Sequence, residues 1–335
     1  MNTSIKDHSL SWLLEHDDPG VRYLALRDLL DLNTTDSDLH DACREAHTSG
    51  QIARILSQMH PDGYWVKPGP GYNPKYRSTV WSLILLAQLG ASIDIDVRIS
   101  KACNHLLDHS LTTSGQFSVN GTPSGTIDCL QGNLCAALTM LGCKDERLEK
   151  AFEWMERSVT GEGIEPATER DAPLRYYAYK CGSNFACGVN NKLPCGWGAT
   201  KVMMAFAKLP RERHTLIINR AIQQGVDFLF SVDPATAAYP CGNSPKPSAS
   251  WWKFGFPVFY VTDILQVVEV LVDLGYTNDP RLKNALDLVQ SKQDNEGRWS
   301  LEYEYTGKTW VDFGPKKQPN KWVTLRALRG LRQVE

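Results

Sequence analysis

The chain has 335 residues, of which 42% are hydrophobic and 22% are charged, a balance typical of a globular protein with a large core. A formal net charge of −2 excludes the basic surface expected of a protein that binds nucleic acid or an anionic membrane. No apolar stretch is long enough to span a bilayer, and the first residues lack the charged and then apolar order of a signal peptide. Because nine cysteines in a chain of this size are typical of reduced thiols, we expect a cytoplasmic protein.

Two kinds of helix alternate along the chain, one polar on one face and the other apolar almost all round. The first pair is predicted over residues 10–15 and 19–30, and a long polar helix follows over 36–59. Asp18-Pro19 is a good helix start, since an acidic residue caps the first turn and proline fits its opening position. Further apolar helices are predicted over 76–89, 129–141, 195–209, 257–274 and 321–331, each after a more polar partner.

A glycine-containing turn, most often with an aromatic residue, separates the polar helices from the apolar ones. It occurs at Asp62-Gly63-Tyr64-Trp65, Gly115-Gln116-Phe117, Gly161-Glu162-Gly163-Ile164 and Glu296-Gly297-Arg298-Trp299. Three apolar helices then end in Leu-Gly, where glycine accepts the left-handed conformation that closes a helix. The recurrence of one unit through the chain predicts a repeat architecture.

The alternation predicts how the helices pack. A helix that is apolar almost all round must be enclosed, whereas a helix with a polar face can lie outside. We therefore predict an all-α (α/α)6 toroid, with six helical hairpins around a central cavity. It would be one domain over residues 1–335, with 1–50 supplying the N-terminal hairpin and an outer helix. An open solenoid would have more even repeats, and the long loops here should gather over the starts of the inner helices.

The turns at 62–65 and 296–299 are similar to the Gln/Trp repeats of the terpene cyclase and prenyltransferase toroid superfamily. Ser291-Lys292-Gln293-Asp294 precedes the second turn, and the chain most resembles the standalone bacterial proteins labelled prenyltransferase-like or squalene-cyclase-like. The resemblance implies the toroid and an apolar substrate such as an isoprenoid. The sequence lacks the superfamily's Asp-x-Asp-Asp and Asp-Asp-x-x-Asp motifs, since the nearest string is Asp94-Ile95-Asp96-Val97.

Four cysteines are the first candidates for chemistry. Cys129 and Cys195 are predicted at the starts of two inner helices, where the positive end of the helix favours a thiolate. With Cys187 they would supply a nucleophile or a proton shuttle. An alternative is a zinc site formed by Cys129, Cys181, Cys187 and Cys195, although their spacing is wider than in most zinc sites and no metal is favoured. A third interpretation is that they are small residues packed in a crowded loop.

Aromatic residues near the inner-helix starts are the candidate wall of a substrate pocket. The predicted substrate-binding residues are Tyr64, Trp65, Trp81, Asn133, Trp197, Lys201, Trp251, Trp252, Phe256 and Tyr260. Asp263, one helical turn beyond Tyr260, is a candidate proton donor or acceptor. The alternatives are core packing for the aromatic residues and an ion pair with Lys201 or an arginine for Asp263. Lys75, Arg77, Lys253 and Lys321, with Lys201, could bind a diphosphate or a carboxylate, or could be solvated surface residues.

These features predict an enzyme that acts on a small, mostly apolar molecule in the toroid cavity. The reaction would be acid–base chemistry such as cyclisation, isomerisation, hydration or dehydration, which belongs to the lyases and isomerases. One alternative is a zinc-dependent enzyme with the cysteines as ligands. The other is a toroid that binds a ligand or a peptide without catalysis.

Overall fold

The computed structural model describes residues 3–177, 181–242, 244 and 246–332, and it is mostly helical. The prediction of an all-α protein is confirmed. The α-helices are α1 (Thr3–Leu13), α2 (Pro19–Asp28), α3 (Ser37–Thr48), α4 (Gln51–Leu56), α5 (Thr79–Gln88), α6 (Val97–Ser110), α7 (Asp128–Leu141), α8 (Arg147–Thr160), α9 (Gly196–Lys208), α10 (Leu216–Leu229), α11 (Ile264–Asp273), α12 (Lys283–Ser291) and α13 (Lys321–Leu331). A short hairpin of β1 (Ala186–Cys187) and β2 (Leu193–Pro194) is antiparallel. No helix in the described part of the chain is long and apolar enough to cross a membrane.

Local signals define most helix ends. Asp18 caps α2 by accepting a hydrogen bond from the backbone N of Val21 at 3.2 Å. Asp96 caps α6 in the same way, through the backbone N of Arg98. At the other end of α7, Gly142 takes a left-handed conformation with φ of 87°, as the Leu-Gly signal predicts. These ends follow from short stretches of sequence.

Two predicted helices differ from the structure. The helix predicted over 36–59 is interrupted at Ser49 and Gly50, where Gly50 is extended and α4 begins. The helix predicted from 257 begins only at Ile264, because residues 253–263 form an irregular segment that we call the strap. The backbone groups of the strap form hydrogen bonds with distant helices, whereas in a helix they would bond to one another.

The apolar helices pack against one another in succession. α5 contacts α7, α7 contacts α9, α9 contacts α11, α11 contacts α13, and α13 contacts α2. The polar helices α6, α8, α10 and α12 pack against α5, α7, α9 and α11, respectively. A close approach between two apolar helices occurs at Gly132 of α7, where an added Cβ would lie only 2.3 Å from the carbonyl carbon of Lys201 in α9. Glycine at 132 therefore permits this contact between helices.

The repeated turn has the same structural role near both ends of the chain. The indole of Trp65 donates to the carbonyl of Ile55 at 2.8 Å, and its backbone N donates to Thr79 Oγ1 at 3.2 Å. Trp299 repeats this pattern, with its indole on a carbonyl of α12 and its backbone N on a threonine of α13. Each buried tryptophan thus ties the end of a polar helix to the start of the next apolar helix.

Candidate functional site

The apolar helices enclose a cavity of about 230 Å³. Every one of α2, α5, α7, α9, α11 and α13 contributes to its lining, and several of the lining residues belong to the last turns of these helices. The apolar part of the wall consists of Ile84, Ala87, Ala136, Ala137, Met140, Met204, Phe256, Val258 and Val270. The cavity therefore extends toward the ends of these helices, whereas the sequence analysis placed the site at their starts.

The strap explains this difference. Gln88 holds Val258 by two hydrogen bonds, donating to its carbonyl at 2.9 Å and accepting from its backbone N at 2.8 Å. Asn133 donates to the carbonyl of Phe259 at 3.3 Å. The strap thus occupies the space between the apolar helices, with Val258 lining the cavity and the neighbouring Phe259 packed on Trp81.

The polar interior of the cavity is organised by Arg326 on α13. Its guanidinium donates to Glu269 Oε2 from Nε and Nη2, at 3.0 and 2.7 Å. It also donates to both carboxylate oxygens of Asp263 at 3.0 Å and to the carbonyl of Gly255 at 2.7 Å. All five N–H groups of the buried guanidinium therefore have acceptors, so the arginine is fixed in place.

Glu269 differs from Asp263 in what it leaves accessible. Asp263 also caps α11 through the backbone N of Gln266 and accepts from the backbone N of Gly255, so both of its oxygens are occupied. Glu269 lines the cavity, and its Oε1 accepts no hydrogen bond from any residue that the structure describes. Burial raises the pKa of Glu269, against the lowering effect of the Arg326 charge. The arrangement gives Glu269 one anchored oxygen and one oxygen available to a ligand.

Lys201 lies behind the cavity wall and is fully buried. Its Nζ donates to Gln266 Oε1, and burial lowers the pKa of the amine to about 7, although the nearby Asp263 acts in the opposite direction. Because Oε1 of Gln266 faces the lysine, its amide nitrogen is directed to Met204 Sδ at 3.5 Å. Gln266 and Met204 both line the cavity, so this part of the wall contains an amide donor.

The outer part of the cavity is lined by charged residues, which we call the rim. The rim consists of Arg27, Asp28, Lys208, Asp273, Arg329 and Arg332. The Asp28 carboxylate binds two arginines, Arg27 at 2.6 Å and Arg329. Burial would raise the pKa of Asp28, but the charges of Arg329 and Arg27 outweigh it and lower the pKa to about 2. Lys208 pairs with Asp273 at 2.5 Å.

Three of the four predicted cysteines meet, but away from this cavity. Cys195 is the residue before α9, its thiol is hydrogen-bonded to Cys187, and Cys129 is close enough to both to interact electrostatically. Cys181 packs instead against Trp154 and Ile164. Within the described residues, no group of three or more His, Cys, Asp or Glu side chains is arranged to hold a metal ion.

The surroundings of Cys129 and Cys195 favour the neutral thiol, whereas a helix start is expected to favour the thiolate. Burial raises the pKa of Cys129 to about 12, and the neighbouring Asp128 adds to this effect. The hydrogen bond to Cys187, together with burial, raises the pKa of Cys195. Desolvation therefore opposes the helix dipole at these positions and favours the thiol over the thiolate. Asp128 itself has a buried Oδ2 without a hydrogen-bond partner.

Two of the predicted substrate-binding residues, Asn133 and Phe256, line the cavity. Lys201 is separated from it by Gln266. Trp81 and Tyr260 belong to an aromatic cluster, in which the ring of Trp81 lies 5.4 Å from that of Phe259 and 6.2 Å from that of Tyr260.

The other predicted aromatic residues have structural contacts. Trp251 and Trp252 donate their indole N–H groups to the carbonyls of Pro234 and Ala235, at 2.9 and 2.8 Å. The remaining predicted residues are Trp65, which ties the first repeat together, Tyr64, which stacks on His60 at 4.3 Å, and Trp197, which is partly buried against the core. None of these side chains lines the cavity.

Sequence reasoning missed Glu269, Arg326 and Arg329. A signal for them was present, since each is a charged residue within a helix predicted to be apolar. Charged side chains are rarely buried unless they are paired, so their position in enclosed helices indicated a polar cluster at the centre of the molecule. What the sequence did not show is which charges pair.

Comparisons with known proteins do not define a family for this chain. No protein-family model matches it, and no curated protein matches it. Among solved structures, it is similar to a mutant of a Family 10 polysaccharide lyase from Cellvibrio cellulosa in complex with trigalaturonic acid. The identity is 14% over 62% of this chain and 79% of that chain, and the TM-score is 0.32. A similarity this low supports no argument about fold or function.

Proposed function

We propose that this chain is an enzyme that catalyses proton transfer on a small, mostly apolar molecule bound in the 230 Å³ cavity, as an isomerase or a lyase does. The observation that carries the proposal is the Glu269 carboxyl, which has one oxygen anchored by Arg326 and the other open to a cavity whose wall is partly apolar. Enclosed apolar pockets with a few fixed polar groups are typical ligand sites, and a carboxyl with a raised pKa is suited to acid–base catalysis.

We also propose that the six helical hairpins close into an (α/α)6 toroid around this cavity. The support comes from the order of contacts among the apolar helices, which runs from α5 through α7, α9, α11 and α13 to α2. Residues of all six apolar helices also line one cavity. This is the arrangement that the resemblance to the terpene cyclase and prenyltransferase superfamily implies.

In the proposed mechanism, Glu269 exchanges a proton with the ligand through Oε1. Arg326 holds Oε2, which fixes the orientation of the carboxyl and stabilises its ionised form after the proton has left. The amide nitrogen of Gln266 is available to polarise a ligand oxygen, since the hydrogen bond from Lys201 fixes its orientation. The apolar part of the wall limits contact of the carboxyl with bulk water, which strengthens its interaction with Arg326 while the proton still exchanges with solvent between turnovers.

The test is deuterium incorporation in D₂O. A panel of small carbonyl, alkene and hydroxy compounds is incubated with the native chain and with Glu269→Gln, and exchange or product formation is followed by NMR. Loss of a positioned acid or base should lower the rate by about 10²–10⁴-fold. Glu162→Gln is the matched control, since Glu162 is also paired with a cation, Arg220 at 2.8 Å, and does not line the cavity.

Equal rates in Glu269→Gln and the native chain would refute the assigned role of Glu269. If compounds bind in the cavity and the native chain converts none of them, the non-catalytic ligand-binding alternative is favoured. The zinc-dependent alternative is tested on the same preparation by elemental analysis, with Cys195→Ser as the variant that should lose the metal.

A further inference from the structure

The charges of the cavity are segregated along its depth. In the interior, Arg326 binds two carboxylates, Asp263 and Glu269. At the rim the balance is reversed, with four cationic side chains, Arg27, Lys208, Arg329 and Arg332, against Asp28 and Asp273. Lys201 behind the wall and the raised pKa of Glu269 offset the carboxylates of the interior, so the imbalance that remains is the excess of positive charge at the rim.

Helix ends account for part of the rim. The carbonyl ends of helices carry partial negative charge, which favours cations in the last turn. Arg332 follows this rule, since it donates to the carbonyl of Asp28 at 3.0 Å. Lys208 is satisfied by its own carboxylate, Asp273. The positive charges of Arg332 and Lys208 at the rim are therefore accounted for without a ligand.

Arg329 is different. It shares the single carboxylate of Asp28 with Arg27, so two guanidinium groups depend on one negative charge. Its Nε is buried and has no hydrogen-bond partner. A buried donor on a charged group that lacks an acceptor is costly, and Arg329 lines the cavity. Its Nη2 donates to Asp28, whereas its Nη1 has no acceptor among the described residues, so Nη1 is the group that a ligand in the cavity can reach, and the excess of positive charge makes an anionic acceptor the most favourable one.

We propose that the ligand of this cavity carries a carboxylate or a phosphate group, which binds at the rim to Arg329 next to Asp28, with its apolar body directed inward to Glu269. This inference rests on the proposed function and specifies its substrate class. It also defines an orientation, because all N–H groups of Arg326 in the interior already have protein acceptors, whereas the cations at the rim outnumber the carboxylates and attract an anionic group. The apolar wall between the two ends accommodates the body of the ligand.

The test compares three probes of equal chain length, hexanoate, hexyl phosphate and hexan-1-ol, by isothermal titration calorimetry at low salt. Hexanoate or hexyl phosphate should bind at least tenfold more tightly than the alcohol, and the tighter of the two identifies the anion. In Arg329→Met the anionic probe should lose about tenfold or more in affinity, with little change for the alcohol. Arg281→Met is the control, since Arg281 forms an exposed pair with Asp279 away from the cavity.

A second variant covers the possibility that Arg329→Met does not fold. Arg329→Lys retains the charge but removes the planar guanidinium group, so an intermediate loss of affinity supports the proposal. Equal binding of the alcohol and the anionic probes, or an equal loss for both in the folded variants, overturns it while leaving the cavity as a binding site. If no probe binds, or if Ala136→Phe in the wall leaves binding unchanged, the proposed use of this cavity fails as well.

Discussion

Asp263→Asn separates a structural role for this residue from the catalytic role that its position in the sequence suggested. Asp263 is 3% exposed, caps α11 and binds Arg326 with both oxygens. Breaking a buried ion pair by removing one partner costs about 3–5 kcal/mol. Glu269 still binds Arg326 in the variant and the asparagine oxygen still accepts at the helix start, so we expect the lower end, about 3 kcal/mol.

The assay is urea unfolding followed by circular dichroism, with Asp279→Asn as the control. Asp279 makes the same type of contact, accepting from the backbone N of Arg281 at 2.9 Å and pairing with its guanidinium, but the arginine side chain is 50% exposed. An exposed pair of this kind contributes about 0–1 kcal/mol. If the two variants lose the same free energy of unfolding, the argument from burial is refuted. Lost turnover in a fully stable Asp263→Asn would restore the catalytic interpretation.

Two further predictions concern buried titratable groups. Burial lowers the pKa of Lys201 to about 7, so the folded state binds its proton less tightly than the unfolded state does. The resulting penalty on the stability of the native chain is complete below pH 7 and disappears as the pH rises to about 10.5. Lys201→Met lacks this penalty at every pH. Its free energy of unfolding relative to that of the native chain should therefore fall by about 4 kcal/mol from pH 6 to pH 10, as measured by urea titrations. A constant difference would contradict this assignment. The hydrogen bond from Cys103 outweighs burial and lowers the pKa of Cys143 to about 7, whereas the pKa of Cys195 is raised. Peptide mass spectrometry after limited alkylation at pH 7.5 should find Cys143 modified well before Cys195, and the reverse order would show that the thiol environments are misassigned.

The helices could be predicted from the sequence because their signals are local. A cap such as Asp18, a stop such as Gly142 and the periodicity between them lie within a few residues of one another, so a short window contains the information. The Gly/Trp turn was also recognisable, and its function as a tie between helices explains why it recurs. The strap was misinterpreted because Val258 and Phe259 look like the start of an apolar helix when their distant partners are unknown.

The candidate site depended on contacts between residues far apart in the chain. Glu269 and Arg326 are 57 positions apart, and Lys201 and Gln266 are 65 apart, so neither pair produces a pattern in the sequence. The sequence by itself determined the helical class, the alternation of apolar and polar helices and most of their ends, since propensity, capping and periodicity act over a few residues. Only the tertiary structure decided which end of the helices contains the cavity and which buried charges pair. Those outcomes depend on the strap, which fills the space at the helix starts, and on desolvation, which raises the pKa of the thiols at Cys129 and Cys195. They also depend on the pairing of Arg326 with one oxygen of Glu269, which leaves the other oxygen facing the cavity.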